Sequence, residues 1–188
     1  MKRTEPIRNP EQVRALLEYY RNIGMYRNHV LITIGVYTAL RISDILLLKT
    51  DDVYDYRSGC VREAITITEK KTCKTKTIAL HQHVMEALYL YLPESCTREP
   101  LIMNNTTGEA ISRIQAYRLI DDAAKAVGIE HRVSCHSLRK TFGYHSWHRG
   151  ISPVLLMEIY NHSSYAVTKR YLGVTQDDQN AVYRGFSV

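Results

Sequence analysis

The segment from Tyr26 to Ala39 constrains the fold most. Val30, Leu31, Ile32, Ile34, Val36 and Tyr37 make it apolar on most faces of a helix. A helix apolar nearly all round must be enclosed by other elements. A chain of 188 residues can build that enclosure within one domain. Directly after it comes Leu40-Arg41-Ile42-Ser43-Asp44. A guanidinium beside so apolar a run needs a partner, and Asp44, three residues on, can orient it. Arg41 and Asp44 alone fit a buried ion pair without function as well as they fit a site.

Helical punctuation recurs along the chain. Asn9-Pro10-Glu11-Gln12 is a helix start, and Gly24 closes that helix. A short helix follows Arg41 and runs through Leu48. Asp51 to Gly59 reads as turns. Ala64 to Thr68 and Lys76 to Leu80 read as paired strands, joined by a lysine-rich tip from Glu69 to Thr75. His81 to Leu92 is helical and Pro93 ends it. Leu101-Ile102-Met103 is a short extended piece. Ser112 to Gln115 is a capping box for a helix that Gly128 closes. Ser134 caps a helix stopped at Gly150, Ser152-Pro153 opens one to Tyr160, and Ser164 caps one carrying Tyr165 to Tyr171. Thr175 to Phe186 reads as a last short helix. The expected class is mainly α with a small antiparallel β-element (α+β).

Charge narrows the function. The net charge is +6, which suits a polyanionic partner. Arg132, Arg139, Lys140, Arg149, Lys169 and Arg170 fall between His131 and Tyr171 with Glu158 as the sole acid there. Lys70, Lys71, Lys74 and Lys76 form a second cluster. No run of eighteen apolar residues and no signal-peptide core is present, so no membrane span is expected and the cytoplasm is the expected location. Cys60, Cys73, Cys96 and Cys135 form no CxxC pair and are expected to stay reduced. His145 and His148 share a helix face but lack an evident third metal ligand.

Cys135-His136-Ser137-Leu138-Arg139 places an imidazole and a guanidinium three apart on one helix, hence on one face. That is a cradle for a phosphate oxygen, though a short and common pattern. With it, the chain resembles the catalytic domain of the tyrosine recombinase (phage integrase) family. Five elements match in order: Thr38-Ala39-Leu40-Arg41-Ile42-Ser43-Asp44-Ile45, Glu69-Lys70-Lys71-Thr72-Cys73-Lys74, His136-Ser137-Leu138-Arg139-Lys140-Thr141-Phe142, Tyr160-Asn161-His162-Ser163-Ser164, and Tyr171, nine residues after His162. The likeness runs from about Asn9 to Tyr171. It departs at Tyr160-Asn161, where Leu-Gly is usual; Asn is the next most tolerant residue after Gly of a left-handed turn.

The resemblance implies the DNA breaking-rejoining catalytic fold over residues 1–174, with 175–188 as a tail passed to a neighbouring subunit through Val182, Tyr183 and Phe186. Relatives usually carry an N-terminal DNA-clamping domain; here the catalytic domain begins almost at Met1, as in a single-domain member or a piece of a longer protein. The implied partner is double-stranded DNA, held by a homotetramer on two sites, with a monomer expected without DNA. Implied roles are Tyr171 as nucleophile, Arg41 and Arg139 as phosphate clamps, His136 as proton acceptor, Lys71 as proton donor, His162 as a phosphate hydrogen-bond partner and Asp44 as orienter. A phenol keeps its proton to about pH 10, so a base is needed. Arginines would carry the charge that a metal carries elsewhere, so no cofactor is expected. Lys70, Lys74, Lys76, Arg132, Lys140, Lys169 and Arg170 are expected DNA contacts. Tyr171 and Lys71 are expected to fall short of the site until DNA arrives.

The function implied is site-specific recombination through a 3′-phosphotyrosine, for integration, excision or inversion. A type IB-like topoisomerase shares this chemistry, and a noncatalytic DNA-binding protein could share the fold. His162 and the small size favour the recombinase.

Overall fold

The computed structural model describes residues 4–71, 73–92 and 99–186. Helix α2 (Tyr26–Tyr37) is its axis, with every residue from Asn28 to Val36 buried. Helix α1 (Pro10–Asn22), capped by the Asn9 side chain on the Glu11 amide, packs along it through Leu16, Leu17 and Tyr20. Against other faces of α2 lie α5 (Gln82–Tyr91), α6 (Arg113–Ala126) and α7 (Cys135–His148). The enclosure that an all-round apolar helix demands is thus met. Gly35 permits the closest approach: a Cβ there would stand 2.7 Å from the Leu138 side chain of α7.

Two larger cores flank α2. One joins Val30, Leu31 and Ile34 to Leu88 of α5 and Ile65. The other joins Ile32 and Val36 to Leu16, Ile120 and Leu138. A third, small core joins Ala39 to Leu156, Tyr160 and Leu172. It is built from α8 (Pro153–Tyr160) and α9 (Tyr165–Leu172).

The turn-rich reading of residues 51–59 holds at residues 56–59 and is corrected before them. Helix α4 (Thr50–Val53) and strand β1 (Tyr54–Asp55) occupy that first part, and β1 pairs with β2 (Cys60–Val61). Elements of two to four residues are too short to show a periodicity; burial of Val53, Tyr54 and Val61 holds them. Helix α3 (Ile42–Ile45) also stops before Leu48. Strands β3 (Ala64–Thr68) and β4 (Thr75–Ala79) pair antiparallel with Ile65 opposite Ile78. Their outer face carries Thr66–Thr77 and Thr68–Thr75 hydroxyl contacts at 3.0 and 2.9 Å. Helix α10 (Gln176–Gly185) follows a Thr175 cap. It leaves Val182, Tyr183 and Phe186 70%, 80% and 77% exposed. Pro93, Cys96 and Thr72 lie outside the described residues. No described helix is long and apolar enough to cross a membrane.

Candidate active site

The site lies over the small third core, where the end of α2, the β3–β4 tip, α7 and the α8–α9 turn meet. Ala39 leaves α2 with φ of +56°, in the left-handed region, a geometry that costs a non-glycine residue about 1 kcal/mol. The bend sends Arg41 away from the helix and aims the Ala39 carbonyl at Arg139, which donates to it through Nη1.

Arg139 is 1% exposed. Its Nη2 donates to the Tyr160 carbonyl at 2.8 Å. Its guanidinium lies 4.6 Å from the Tyr160 ring centroid and 5.9 Å from that of Tyr171. The buried Nε has no hydrogen-bond partner among the described residues. Arg41 shares the Tyr160 carbonyl at 3.4 Å. Its principal anion is Glu69 at 2.9 Å, while Asp44 stands at 3.9 Å. The expected Arg41–Asp44 pair is therefore the secondary one. Asp44 instead accepts from the Lys70 amide at 3.1 Å and so fixes the start of the hairpin tip.

The Tyr171 hydroxyl is 2.6 Å from His136 Nε2. The expectation that Tyr171 falls short is corrected: α9 packs on α7, and that docking delivers the phenol to the imidazole. His136 keeps an exposed edge. Loss of hydration on its packed side, then the charges of Arg139, Lys140, Arg41 and Arg113, hold its pKa below the ordinary histidine value. It is thereby kept neutral at neutral pH, able to accept a proton. His162 is pushed down to about 4 by loss of hydration, then by Arg139, Arg41 and His136. Its ring stacks on Tyr160 at 5.0 Å, and its Nδ1 pairs with the buried Thr168 hydroxyl at 3.0 Å.

The cations divide. Lys71 stands exposed at the hairpin tip and makes no hydrogen bond or ion pair among the described residues. Lys74 and Lys76 are docked: Lys74 bonds Asn161 Oδ1 at 3.2 Å, and Lys76 pairs with Glu69 at 2.9 Å. Lys140 is buried, with its ammonium on the Thr4 carbonyl. The N-terminal segment covers it, so it does not join the exposed cations. Lys70, Lys169 and Arg170 are exposed, as is Arg132, whose guanidinium rests on Tyr117. His145 and His148 turn to the Ile7 carbonyl and to Asp178. Among the described residues, no group of three His, Cys, Asp or Glu side chains is arranged to hold a metal ion.

Glu69 and Tyr160 were not singled out from the sequence. Strand alternation carried a signal for Glu69, which continues the inward face of Ile65 and Ile67. Tyr160 had none of that kind. Its hydroxyl donates to the Arg139 carbonyl at 2.8 Å, and burial raises its pKa. Gly143 leaves the room for it: a Cβ there would overlap that hydroxyl.

Residues 8–177 match the sequence model of the phage integrase family. The chain belongs to that family. A Bacillus subtilis relative, the probable integrase/recombinase YoeC, is 37% identical over 97% of this chain and 96% of its own length. The tyrosine recombinase XerA of Pyrococcus furiosus is 26% identical over 88% of this chain and 56% of its own. This phage integrase family chain thus spans nearly all of the Bacillus relative and about half of the Xer recombinases. In fold it is similar to the crystal structure of XerA recombinase, with a TM-score of 0.75 at 20% identity over 98% of this chain and 64% of that one. It is also similar to the catalytic domain of bacteriophage HP1 integrase, with a TM-score of 0.63 at 21% identity over 97% and 95%. The tyrosine-recombinase catalytic fold expected from the sequence is the fold observed.

Proposed function

We propose that the chain is a site-specific DNA recombinase that cleaves and rejoins double-stranded DNA through a 3′-phosphotyrosine at Tyr171. The observation that carries this reading is the 2.6 Å contact between the Tyr171 hydroxyl and His136 Nε2, beside two guanidiniums. In the forward step the Tyr171 oxygen forms a bond to the scissile phosphorus and the bond to the 5′-oxygen breaks. His136 accepts the phenolic proton. Charge gathering on the nonbridging oxygens meets the guanidiniums of Arg41 and Arg139, both held before substrate arrives. Lys71, at the exposed tip, gives its proton to the departing 5′-oxygen. His162, kept neutral and oriented by Thr168, offers its other nitrogen to a phosphate oxygen. Rejoining runs the same steps in reverse.

Lys70, Lys169, Arg170 and Arg132, exposed around this site, are proposed phosphate-backbone contacts, with Lys74 and Lys76 adding charge at the hairpin. The Tn1549 transposon integrase, whose complex with transposon right end DNA has a TM-score of 0.69 to this chain at 18% identity, supports a DNA partner. Exposed Val182, Tyr183 and Phe186 support residues 175–188 as the segment exchanged between subunits in a DNA-bound tetramer.

The test is a selection. Nicked duplexes with randomised arms are incubated with the protein, and denaturant-resistant adducts are recovered and sequenced. One enriched sequence class is expected, captured by the wild type and lost with Tyr171→Phe. Equal adducts from both proteins would refute the nucleophile. Binding should weaken steeply with salt as phosphate counterions are released.

A further inference from the structure

We infer that Asn161 is a positioning residue: its side-chain amide docks the lysine hairpin on the α8–α9 turn and holds the Lys71 tip beside the arginines. Asn161 ends α8 in the left-handed region, at φ +52° and ψ 50°. From there its Oδ1 accepts from Lys74 Nζ at 3.2 Å, and its Nδ2 donates to Glu69 Oε2 at 3.1 Å. Glu69 and Lys74 are the two ends of the tip, and the Glu69 amide donates to the Lys74 carbonyl at 3.0 Å. One side chain therefore grips both legs of the loop that carries Lys71. Lys76 adds a second tie to the same helix end, on the Ile159 carbonyl at 3.3 Å. The grip continues into the site, because the Glu69 carboxylate that takes the Asn161 amide also pairs with Arg41 at 2.9 Å.

The chemistry of this position selects an amide. Its partners are a cation and an anion, and an amide presents an acceptor to one and a donor to the other. An aspartate would repel Glu69, and a lysine would repel Lys74. Asparagine is also the side chain that best tolerates left-handed backbone. These two demands, backbone and side chain, meet in one residue.

Glycine at this position removes the strut without straining the turn, since it adopts positive φ freely. In the free protein, hydrogen exchange is followed at the Glu69, Lys70 and Cys73 amides, which donate to the Lys74 carbonyl, the Asp44 carboxylate and the Glu69 carbonyl, in the wild type, Asn161→Gly and Asn161→Asp. Loss of charge-assisted bonds predicts roughly tenfold faster exchange at the tip in both variants, with α1 and α2 unchanged. Tip exchange equal to wild type, or faster exchange spread over α1 and α2, overturns the proposal.

Its consequence for catalysis rests on the proposed role of Lys71. That is read on the duplex recovered in the selection, with either oxygen or sulfur at the 5′ bridging position of the scissile phosphate. With sulfur, the tyrosyl P–O bond forms as the P–S bond breaks, and the thiolate leaves without needing a proton. Asn161→Gly should slow adduct formation about tenfold on the oxygen substrate and restore the wild-type rate on sulfur. Equal slowing on both would mean that Asn161 acts elsewhere than through the lysine, which also overturns the proposal. If the wild type forms no adduct on any duplex, the recombinase reading fails, and the exchange measurement still decides the docking.

Discussion

The two arginines of the site are held in opposite ways. Arg139 is part of a core: it is 1% exposed, bonded to two backbone carbonyls and packed against the Tyr160 and Tyr171 rings. Arg41 lies on the rim, with 15% of its side chain exposed, and is held by a carboxylate from the hairpin. The difference teaches how this site divides its labour. In the proposed reaction, Arg139 and His136 on α7 and His162 on the α8–α9 turn are the groups held by the core itself, so they need no rearrangement. Groups at the hairpin side, Arg41 and Lys71, depend on how well Glu69 and Asn161 hold a two-stranded element that is mostly exposed on its outer face.

The largest effect is expected at Arg139. Arg139→Ala should lower adduct formation by roughly two to three orders of magnitude, the usual cost of losing a preorganised donor, while duplex binding persists. Arg139→Lys should not restore cleavage, because an ammonium cannot hold both carbonyls and still present a forked donor. Equal loss of binding and cleavage would reduce Arg139 to a phosphate anchor. Next comes Gly143→Ala, which forces a methyl group into the Tyr160 hydroxyl. It should destabilise the fold by about 1–3 kcal/mol in urea unfolding. Tyr160→Phe in the same background should recover part of that loss. No loss in Gly143→Ala would show that the core half is less tightly packed than described.

A smaller effect is expected with pH. His162 is held at about 4 in the fold, against about 6.5 in an unfolded chain. Between these values the unfolded state binds the proton and the folded state does not, so stability falls as pH drops through this window. Above about 6.5 both states are neutral and His162 contributes no slope. Urea midpoints of His162→Gln should therefore decline less between pH 6.5 and 4 than those of the wild type; the residual slope belongs to His136, His29, His145 and His81, also held low, and toward pH 4 to the lowered carboxyls of Asp55, Glu86 and Asp178. Identical slopes would contradict the neutral assignment. The smallest effect on the free chain is expected in α10. Tyr183→Ser with Phe186→Ser should change its stability within about 0.5 kcal/mol, as exposed side chains do, yet reduce DNA-dependent assembly measured by light scattering. A large loss of monomer stability would place those rings in the chain's own core.

Much of this was legible because the signals were local. Caps such as Asn9, Ser112 and Ser134 act within four residues and are written in the sequence. The apolar faces of Tyr26 to Tyr37 announced a central helix. Arg41, His136, Arg139, His162 and Tyr171 could be named from the family resemblance their motifs carry, and the fold brings them to one place. What stayed hidden depended on distant partners. That Glu69 rather than Asp44 is the nearer anion of Arg41 follows from where β3 ends relative to α3. Lys140 looked like a surface cation, but Thr4 folds over it. Tyr160 needs Gly143, seventeen positions earlier on a different helix, to be accommodated at all.

The most direct test of the central claim is to locate the covalent bond. The adduct formed on the selected duplex is digested with protease and nuclease, and the nucleotide-bearing peptide is sequenced by mass spectrometry. The account predicts a phosphodiester remnant on Tyr171, with a free 5′-hydroxyl on the released strand. A remnant on Tyr165, on any other tyrosine or on a serine, or a 5′-linked remnant, would contradict it.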